Sequence, residues 1–291
     1  MWTREVLKNN AKEFLRKYLK VAVLVCLVYF GLSSIFSTDS SFVTIREKNS
    51  YIQEYEEENN VKFSVSLYNN QFLQSAKNVF TKDDIVLSDW MLGQHTFLLS
   101  KKAFAVVSVI FVLVNIFIML PMSVGLKRFF IRGYKYDVKF NYLFSPFKDG
   151  TWNKIVGKLF LKNIYLFLWT LLLIIPGIVK SYQYYFVEYI LAENPEMPLS
   201  DAIQISKEMT DDDKFSIFAL EISFFGWALL ASLLLNLGFI LLNPYTEATY
   251  ASLYITKKEI IRERYENLGG FVDPFYIENY ADYYVEHFQE V

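Results

Sequence analysis

Residues 103–126 read AFAVVSVIFVLVNIFIMLPMSVGL and contain no ionisable side chain. Fifteen of these residues are Leu, Ile, Val or Phe, and each of them favours insertion into a bilayer by roughly 0.3 to 0.6 kcal/mol. Together they outweigh the amide of Asn115. The stretch is also longer than the about 20 residues that a helix needs to cross a hydrocarbon core. It therefore predicts a transmembrane helix.

The composition of the whole chain agrees with an integral membrane protein. Of its 291 residues, 53% are hydrophobic and 21% are charged, whereas soluble domains have about 45–50% and about 25%. The net charge of −2 gives no field that would attract nucleic acid. One cysteine and two histidines are too few for a disulfide or a Cys/His zinc site. No cofactor and no metal site is predicted.

Six membrane-spanning helices are predicted, so the expected fold class is an all-α polytopic membrane protein. Residues 21–36 are interpreted as an uncleaved first span, with a cleaved signal peptide as the alternative. Residues 103–126 form the second span. Residues 158–194 and 215–256 form two helical hairpins, the first broken at Pro176-Gly177, because proline and glycine disrupt a helix. Either hairpin crosses the bilayer twice or is re-entrant.

Lysine and arginine residues decide the predicted orientation. Residues 1–20, residues 127–157 and the start of the tail 257–291 are basic, which places them in the cytoplasm. The amphipathic segment 195–214 joins them there, although it is acidic. The loop 37–102 has more acidic than basic residues and is placed outside. Six spans then leave both termini in the cytoplasm, and the expected location is the cell membrane.

Residues 1–20 form a predicted basic amphipathic helix, because cations recur at every fourth position opposite an apolar side. Such a helix beside a span fits the anionic lipid of the cytoplasmic surface. An orientation signal without lipid binding is the alternative. The cations of this predicted lipid contact are Arg4, Lys8, Lys12, Arg16 and Lys20.

The outer loop is too long for a simple connection and is predicted to form a small extracytoplasmic cap. We expect a polar helix over residues 41–60, a strand over residues 61–68 and a second helix over residues 80–99. The cap has too little apolar sequence for a core of its own, so it is expected to pack on the spans. The cap is a candidate for contact with another membrane or extracytoplasmic protein. The aromatic, acidic tail either binds a partner or packs as a terminal helix.

Ionisable residues in predicted spans are costly and therefore mark candidate functional positions. Glu188 and Glu247 lie near the middle of predicted spans, and Glu221 lies six residues past a predicted inner edge. Proline lacks an N–H, so a kink is predicted just before Glu247. This predicted polar site also includes Pro244, which supplies the kink. Its last two members are Asn115 and Asn243, whose amides can form hydrogen bonds between helices.

Two non-enzymatic functions are consistent with these features, and a membrane enzyme that acts on lipid is a third, weaker alternative. No G-x-S-x-G, Walker A or H-E-x-x-H motif occurs in the sequence. The first function is a membrane scaffold or accessory protein that acts through protein or lipid contacts. The alternative is a small transporter or channel-like protein that moves an ion, proton or substrate past Glu247, Glu188 and Glu221.

Short motifs follow one another in order between residues 103 and 256. They are Gly125 with Arg128-Phe129-Phe130, Leu143-Phe144 with Phe147, Leu173-Ile174-Ile175-Pro176-Gly177-Ile178, Ala192-Glu193-Asn194-Pro195, Ala202-Ile203 with Ser206-Lys207-Glu208-Met209, Phe225-Gly226-Trp227, and Asn243-Pro244-Tyr245 with Tyr254. This ordered set resembles the Gram-positive bacterial membrane proteins known as domain of unknown function 975. The resemblance implies the helical membrane fold and the cell membrane, and it implies no activity. The long outer loop, the Asp211-Asp212-Asp213 run and the long tail depart from the family pattern.

Overall fold

The computed structural model describes most of the helical part of the chain and short parts of the outer loop. Its described residues are 2–36, 43–47, 49–50, 53, 85–89, 94–211, 213–234, 237–267 and 273–276. They belong to two compact units. The larger unit comprises residues 1–29 and 119–291, and the smaller unit comprises residues 30–118.

The smaller unit contains a three-stranded sheet. Its strands are β1 (Val43–Glu47), β2 (Ile85–Asp89) and β3 (Gln94–Leu99), in the order β1-β3-β2. The central strand β3 runs parallel to β1, with Val43 opposite His95, and antiparallel to β2. Helix α2 (Lys101–Val114) begins directly after Ser100 and contacts β1 and β3.

The sheet corrects two predictions for the outer loop. The helix predicted over residues 80–99 is wrong, because β2 and β3 occupy its described part. Both stretches are rich in β-branched and aromatic residues, which favour pleated structure. The polar helix predicted over residues 41–60 begins with β1 instead, and helical residues occur only from position 49 within its described part. The strand predicted over residues 61–68 lies outside the described residues.

Four helices are long and apolar enough to cross a membrane, and they confirm the helical membrane class. They are Arg4–Ile35, Lys101–Gly133, Trp152–Leu172 and Lys214–Leu233. The first is α1, which covers the predicted cytoplasmic segment and the predicted first span and consists of two helical parts that meet at a kink at Tyr18. The second is α2, a π-helical turn (Asn115–Met119) and α3 (Leu120–Gly133).

The first predicted hairpin folds back on itself. It consists of α5 (Trp152–Leu172), α6 (Ile174–Gln183) and α7 (Val187–Glu193). Near its tip, a Cβ atom built on Gly177 would lie 2.7 Å from the Thr170 hydroxyl oxygen. At its base, the Lys158 ammonium donates hydrogen bonds to the carbonyls of Pro195 and Met197, at 2.7 and 2.8 Å. The returning segment therefore follows α5 in the opposite direction.

The break in this hairpin lies at Leu173, which has an extended backbone, and not at Pro176-Gly177 as predicted. A proline ring clashes with the carbonyl four residues earlier, which here belongs to Leu172, the last residue of α5. Pro176 itself lies in the first turn of α6, where the missing N–H breaks no helical hydrogen bond. The proline thus ends the preceding helix and is accommodated in the next one.

The second predicted hairpin consists of α9 (Lys214–Leu233) and α10 (Phe239–Asn267). A Cβ atom built on Gly238 would lie 2.6 Å from the Cα atom of Ala231, so the two arms are in close contact near the tip. Farther along, the rings of Phe224 and Tyr245 pack edge to face at 5.6 Å. The two helices are therefore antiparallel neighbours over much of their length.

Helix α3 is the element on which the larger unit is built. It contacts α5, α7 and α10, and a 3-10 turn (Phe140–Phe144) leads into the short helix α4 (Ser145–Lys148), which also contacts it. Gly125 allows the 3-10 turn to pack this closely, because a Cβ atom at that position would lie 2.0 Å from the Leu143 carbonyl oxygen.

The apolar side of the N-terminal part of α1 is buried in the larger unit. Leu7, Ala11 and Phe14 are buried, and the ring of Phe14 packs against the rings of Phe129 and Phe130 of α3. The apolar side therefore contacts protein. The cations of the predicted lipid contact lie on the other side, where Lys8 is half-buried above the ring of Phe224 and the exposed ones are Arg4, Lys12, Arg16 and Lys20.

The predicted amphipathic segment 195–214 contains helix α8 (Leu199–Thr210). Its apolar side is buried, including Ala202, Ile205 and Met209. The hydroxyl of Ser206 accepts a hydrogen bond from the Phe186 amide at 3.1 Å and donates one to the Gln183 carbonyl at 2.8 Å. Helix α8 thereby holds the connection between α6 and α7.

Candidate functional site: a buried ion-pair cluster

Four charged side chains form two ion pairs inside the larger unit, and we call them the buried ion-pair cluster. The Lys127 Nζ atom lies 2.7 Å from Oε2 of Glu247, and the Lys162 Nζ atom lies 2.7 Å from Oε1 of Glu188. The four side chains are only 11 to 24% exposed. Ion pairs this deeply buried are uncommon, since charged residues are rarely buried unless they are paired.

Each member of the cluster comes from a different helix. Lys127 lies on α3, Lys162 on α5, Glu188 in the first turn of α7 and Glu247 on α10, three residues after Pro244. The two pairs thereby connect the central helix to the second hairpin, and the two arms of the first hairpin to each other.

Lys127 links the two pairs. Its ammonium interacts electrostatically with Glu188 as well as with Glu247, and it lies 5.1 Å from the centroid of the Tyr189 ring. The cluster contains two cations and two carboxylates, so its formal charge is zero. A neutral, mutually paired set is the arrangement in which buried charges are tolerated, because each charge lost from water gains a partner of opposite sign.

The structure brings together only part of the predicted polar site. Glu188 and Glu247 belong to the cluster. Glu221 lies apart from them and accepts a hydrogen bond of 2.6 Å from the Tyr182 hydroxyl, which joins α9 to α6. The ring of Tyr250 lies within electrostatic reach of both Glu221 and Glu247.

The remaining members of the predicted polar site have other surroundings. Asn115 belongs to the smaller unit, where its amide donates hydrogen bonds to the carbonyls of Phe36 and Phe111, at 3.0 and 2.9 Å. Pro244 is buried inside α10, and Asn243 beside it is half-buried. Of the six predicted residues, only Glu188 and Glu247 belong to the buried ion-pair cluster, and the grouping of all six stays a prediction.

Sequence reasoning missed both cations of the cluster. Lys127 was predicted to belong to the cytoplasmic flank because it follows the apolar stretch directly. Lys162 lies inside a predicted span, so the rule that selected the three carboxylates selects it as well. The sequence does not show that Glu247 and Lys127 pair, because 120 residues separate them.

The chemistry of the cluster is that of a structural connection. One oxygen of each carboxylate accepts a hydrogen bond from a lysine ammonium, which neutralises the charge of that carboxylate. Among the residues that the structure describes, no group of three or more His, Cys, Asp or Glu side chains is placed to hold a metal ion.

A second set of contacts fastens the N-terminus to the base of the second hairpin. The carboxylate of Asp213 pairs with the ammonium of Lys257 and accepts a hydrogen bond of 3.0 Å from the Trp2 indole N–H. Burial opposes ionisation of Asp213 most strongly, but the hydrogen bonds from Lys257 and Trp2 outweigh it and hold the pKa of Asp213 below its ordinary value of 3.8. We call these three residues the basal latch.

These features define a helical membrane protein whose helices are connected by buried ion pairs. The chain matches the model of a family described as "Protein of unknown function (DUF975)" over residues 1–260, so it belongs to that family. The resemblance inferred from the ordered motifs is thereby confirmed. No curated protein and no solved structure matches the chain.

The cluster predicts a characteristic pattern of stability. Lys127→Met should destabilise the protein by about 3–5 kcal/mol, because it leaves the Glu247 carboxylate buried without a partner. Lys127→Met combined with Glu247→Leu should recover most of that loss, because an apolar pair of similar volume needs no hydration. Chemical unfolding of the purified protein in detergent measures both. Equal losses in the single and double variants would contradict the ion pair.

The basal latch predicts a dependence on pH. Since the pKa of Asp213 is lowered in the folded state, its contribution to stability is present above pH 3.8 and disappears as the pH falls through the folded-state pKa. Asp213→Asn should therefore lower the free energy of unfolding at pH 7, and the difference from the parent protein should vanish in strong acid. Unfolding curves of both proteins between pH 7 and about pH 3 measure this difference.

Asp211→Asn is the matched control for the latch. Asp211 is highly exposed, and its ion-pair partner among the described residues is Lys214, three residues away in the sequence. Exposed pairs of this kind contribute about 0 to 1 kcal/mol, so this variant should stay close to the parent protein at every pH. A loss at pH 7 as large as that of Asp213→Asn would contradict the latch.

Proposed function

We propose that the protein is a non-enzymatic membrane scaffold or accessory protein that acts through contacts with lipid and with other proteins. The observation that carries the proposal is the pairing of the three intramembrane carboxylates. Glu247 and Glu188 have lysine partners, and Glu221 has a tyrosine hydroxyl. Groups engaged in this way stabilise helix packing, whereas a conduction path needs groups that exchange partners with water or cargo.

The outer surface of the helices supports a role within the bilayer. Large apolar side chains are highly exposed on α2 and at the tip of the first hairpin, where Leu171 and Ile175 are 71% and 76% exposed. Apolar surface of this extent is expected where helices face lipid or another membrane protein. The protein therefore has an exposed apolar surface for contacts with lipid or with another membrane protein.

The proposed topology has six spans in the cell membrane, with both termini in the cytoplasm. Both hairpins fold back along themselves. This supports the proposed topology, because an antiparallel pair of helices returns the chain to the side of the membrane from which it came. Helix α10 has Glu247 within its proposed span, and the pairing with Lys127 lowers the cost of placing this carboxylate in lipid. The basic flanks supply the orientation.

The alternative is a small transporter or channel-like protein. The observation in its favour is the position of Tyr250, which is within electrostatic reach of both Glu221 and Glu247. This arrangement would become a path only if the pair between Lys127 and Glu247 opened during transport.

Accessibility of single cysteines tests the topology. Cys26 is the native cysteine, and Cys26→Ala provides a background without thiols. Leu173→Cys and Leu237→Cys at the hairpin tips should react from outside with a maleimide that cannot cross the membrane, whereas Glu196→Cys and Asp211→Cys at the bases should react only in inverted vesicles. Tips that fail to react from outside would indicate re-entrant hairpins, and bases that do react there would reverse the orientation.

Flux through reconstituted vesicles decides between the scaffold and the transporter. Vesicles with the purified protein should show the same proton and potassium permeability as protein-free vesicles, because the carboxylates are paired. Permeability above that background, abolished by Glu247→Gln but retained by Gly157→Ala, would overturn the scaffold. Gly157 is a suitable control since no atom lies within 4 Å of the Cβ position.

A further inference from the structure

A cavity of about 520 Å³ opens in the larger unit beside the C-terminal half of α3 and the C-terminal half of α10. It shares no residue with the buried ion-pair cluster. Its wall contains five cations and two carboxylates, Glu193 and Glu259. The cations are Arg128, Arg132, Lys135, Lys258 and Arg262.

Three of these cations are already neutralised and form the rigid part of the wall. Arg128 pairs with Asp149 at 2.8 Å and also donates hydrogen bonds to the Ser145 hydroxyl and the Ala192 carbonyl. Lys258 pairs with Glu193, which also accepts a hydrogen bond of 2.6 Å from the Tyr254 hydroxyl. Arg262 pairs with Asp273. These contacts leave little charge for a ligand, but they fix the shape of the cavity.

The other two cations, Arg132 and Lys135, are exposed and have no ion-pair partner among the residues that the structure describes. They lie one turn apart at the end of α3. The Arg132 guanidinium lies 5.2 Å from the centroid of the Tyr142 ring, which holds it at the mouth of the cavity. An exposed arginine held in this way has its planar donor groups directed before a ligand arrives.

We propose that this cavity binds the phosphate group of a phosphate ester, with Arg132 and Lys135 as its principal contacts. Arginine makes paired hydrogen bonds to phosphate oxygens, and lysine adds a concentrated positive charge. Tyr136 and Tyr276 also line the cavity, and a tyrosine hydroxyl is a neutral donor suited to the alcohol part of the ester. The volume falls within the about 300 to 1,000 Å³ of small-molecule sites.

The place of the cavity in the chain indicates two sources for this phosphate. Arg132 follows the predicted end of its span by six residues, and Lys258 follows the predicted end of its span by two, so the cavity lies at the cytoplasmic surface in the proposed topology. Basic pockets between spans on that side bind phospholipid headgroups. A soluble phosphate ester from the cytoplasm has the same chemistry.

Binding to the purified full-length protein tests the proposal, with one arm for each source. In the first arm, native mass spectrometry counts bound phosphatidic acid and phosphatidylglycerol against phosphatidylcholine. In the second arm, calorimetry measures binding of glycerol 3-phosphate. Binding of the anionic lipids alone identifies a headgroup site, and binding in the second arm identifies a site that also accepts soluble esters. Absence of binding in both arms overturns the proposal.

Paired variants distinguish the cavity from general attraction to a basic surface. Arg132→Gln with Lys135→Gln should weaken binding by about tenfold or more, the effect expected from losing charge-assisted hydrogen bonds. Lys139→Gln with Lys148→Gln removes the same charge from exposed positions of the same basic segment that do not line the cavity, and it should change binding by less than about twofold. Equal losses in both variants overturn the proposal. Unchanged melting temperatures confirm that each variant is folded.

The acidic tail provides a further test of the site. Residues 277–291, which follow Tyr276 and lie outside the described residues, include Glu278, Asp282, Glu286 and Glu290. A protein in which these four are replaced by their amides should bind the phosphate ester at least as tightly as the parent. Weaker binding by this protein than by the parent, at an unchanged melting temperature, would contradict the proposal.

Discussion

A charge inside an apolar helical bundle must have a partner, and this constraint decides how the larger unit is assembled. Removing a single ion from water costs several kcal/mol, which nearby opposite charge offsets only when the geometry is good. Lys127 and Glu247 meet this condition at 2.7 Å, as do Lys162 and Glu188. Since the partners lie on different helices, each helix is fixed relative to another by a contact that tolerates little displacement.

Two neighbouring residues of α3 extend this requirement for paired charges to several elements of the larger unit. Lys127 and Arg128 are successive on the helix, so their side chains leave it about 100° apart. Lys127 reaches α10, whereas Arg128 reaches α4 and the end of α7. Gly125, one turn earlier, admits the backbone of the 3-10 turn. Such contacts contribute more to the uniqueness of the packing than to its stability, because an apolar core of the same shape would hold the helices at least as strongly.

The sequence predicts the apolar helices and the two hairpins because length, hydropathy and helix-breaking residues are local properties. It places the break of the first hairpin three residues late, because a proline acts on the carbonyl four residues before it as well as on its own position. It misassigns residues 85–89 and 94–99, where short apolar stretches fit a strand as well as a helix. It identifies Glu188 and Glu247 because an ionised side chain in a membrane span costs free energy. It does not identify their partners, since a pairing such as that of Lys127 and Glu247, across 120 residues, is a property of the fold.

Charged residues and exposed apolar residues lie in different parts of the helices. This distribution explains how the chain can keep a fixed internal arrangement and still contact lipid and other proteins. The ion pairs, the basal latch and the contacts of Arg128 connect α1, α3, α5, α7 and α10 through groups that are mostly buried. The exposed tip of the first hairpin instead ends in leucine and isoleucine, whose contacts with lipid are interchangeable. The ion pairs and hydrogen bonds are directional, so they hold the polar half of the bundle in one arrangement. The contacts of the apolar half are not directional, so that half can accept different neighbours. A scaffold in a membrane needs both properties, because it must keep its own shape while its lateral contacts change.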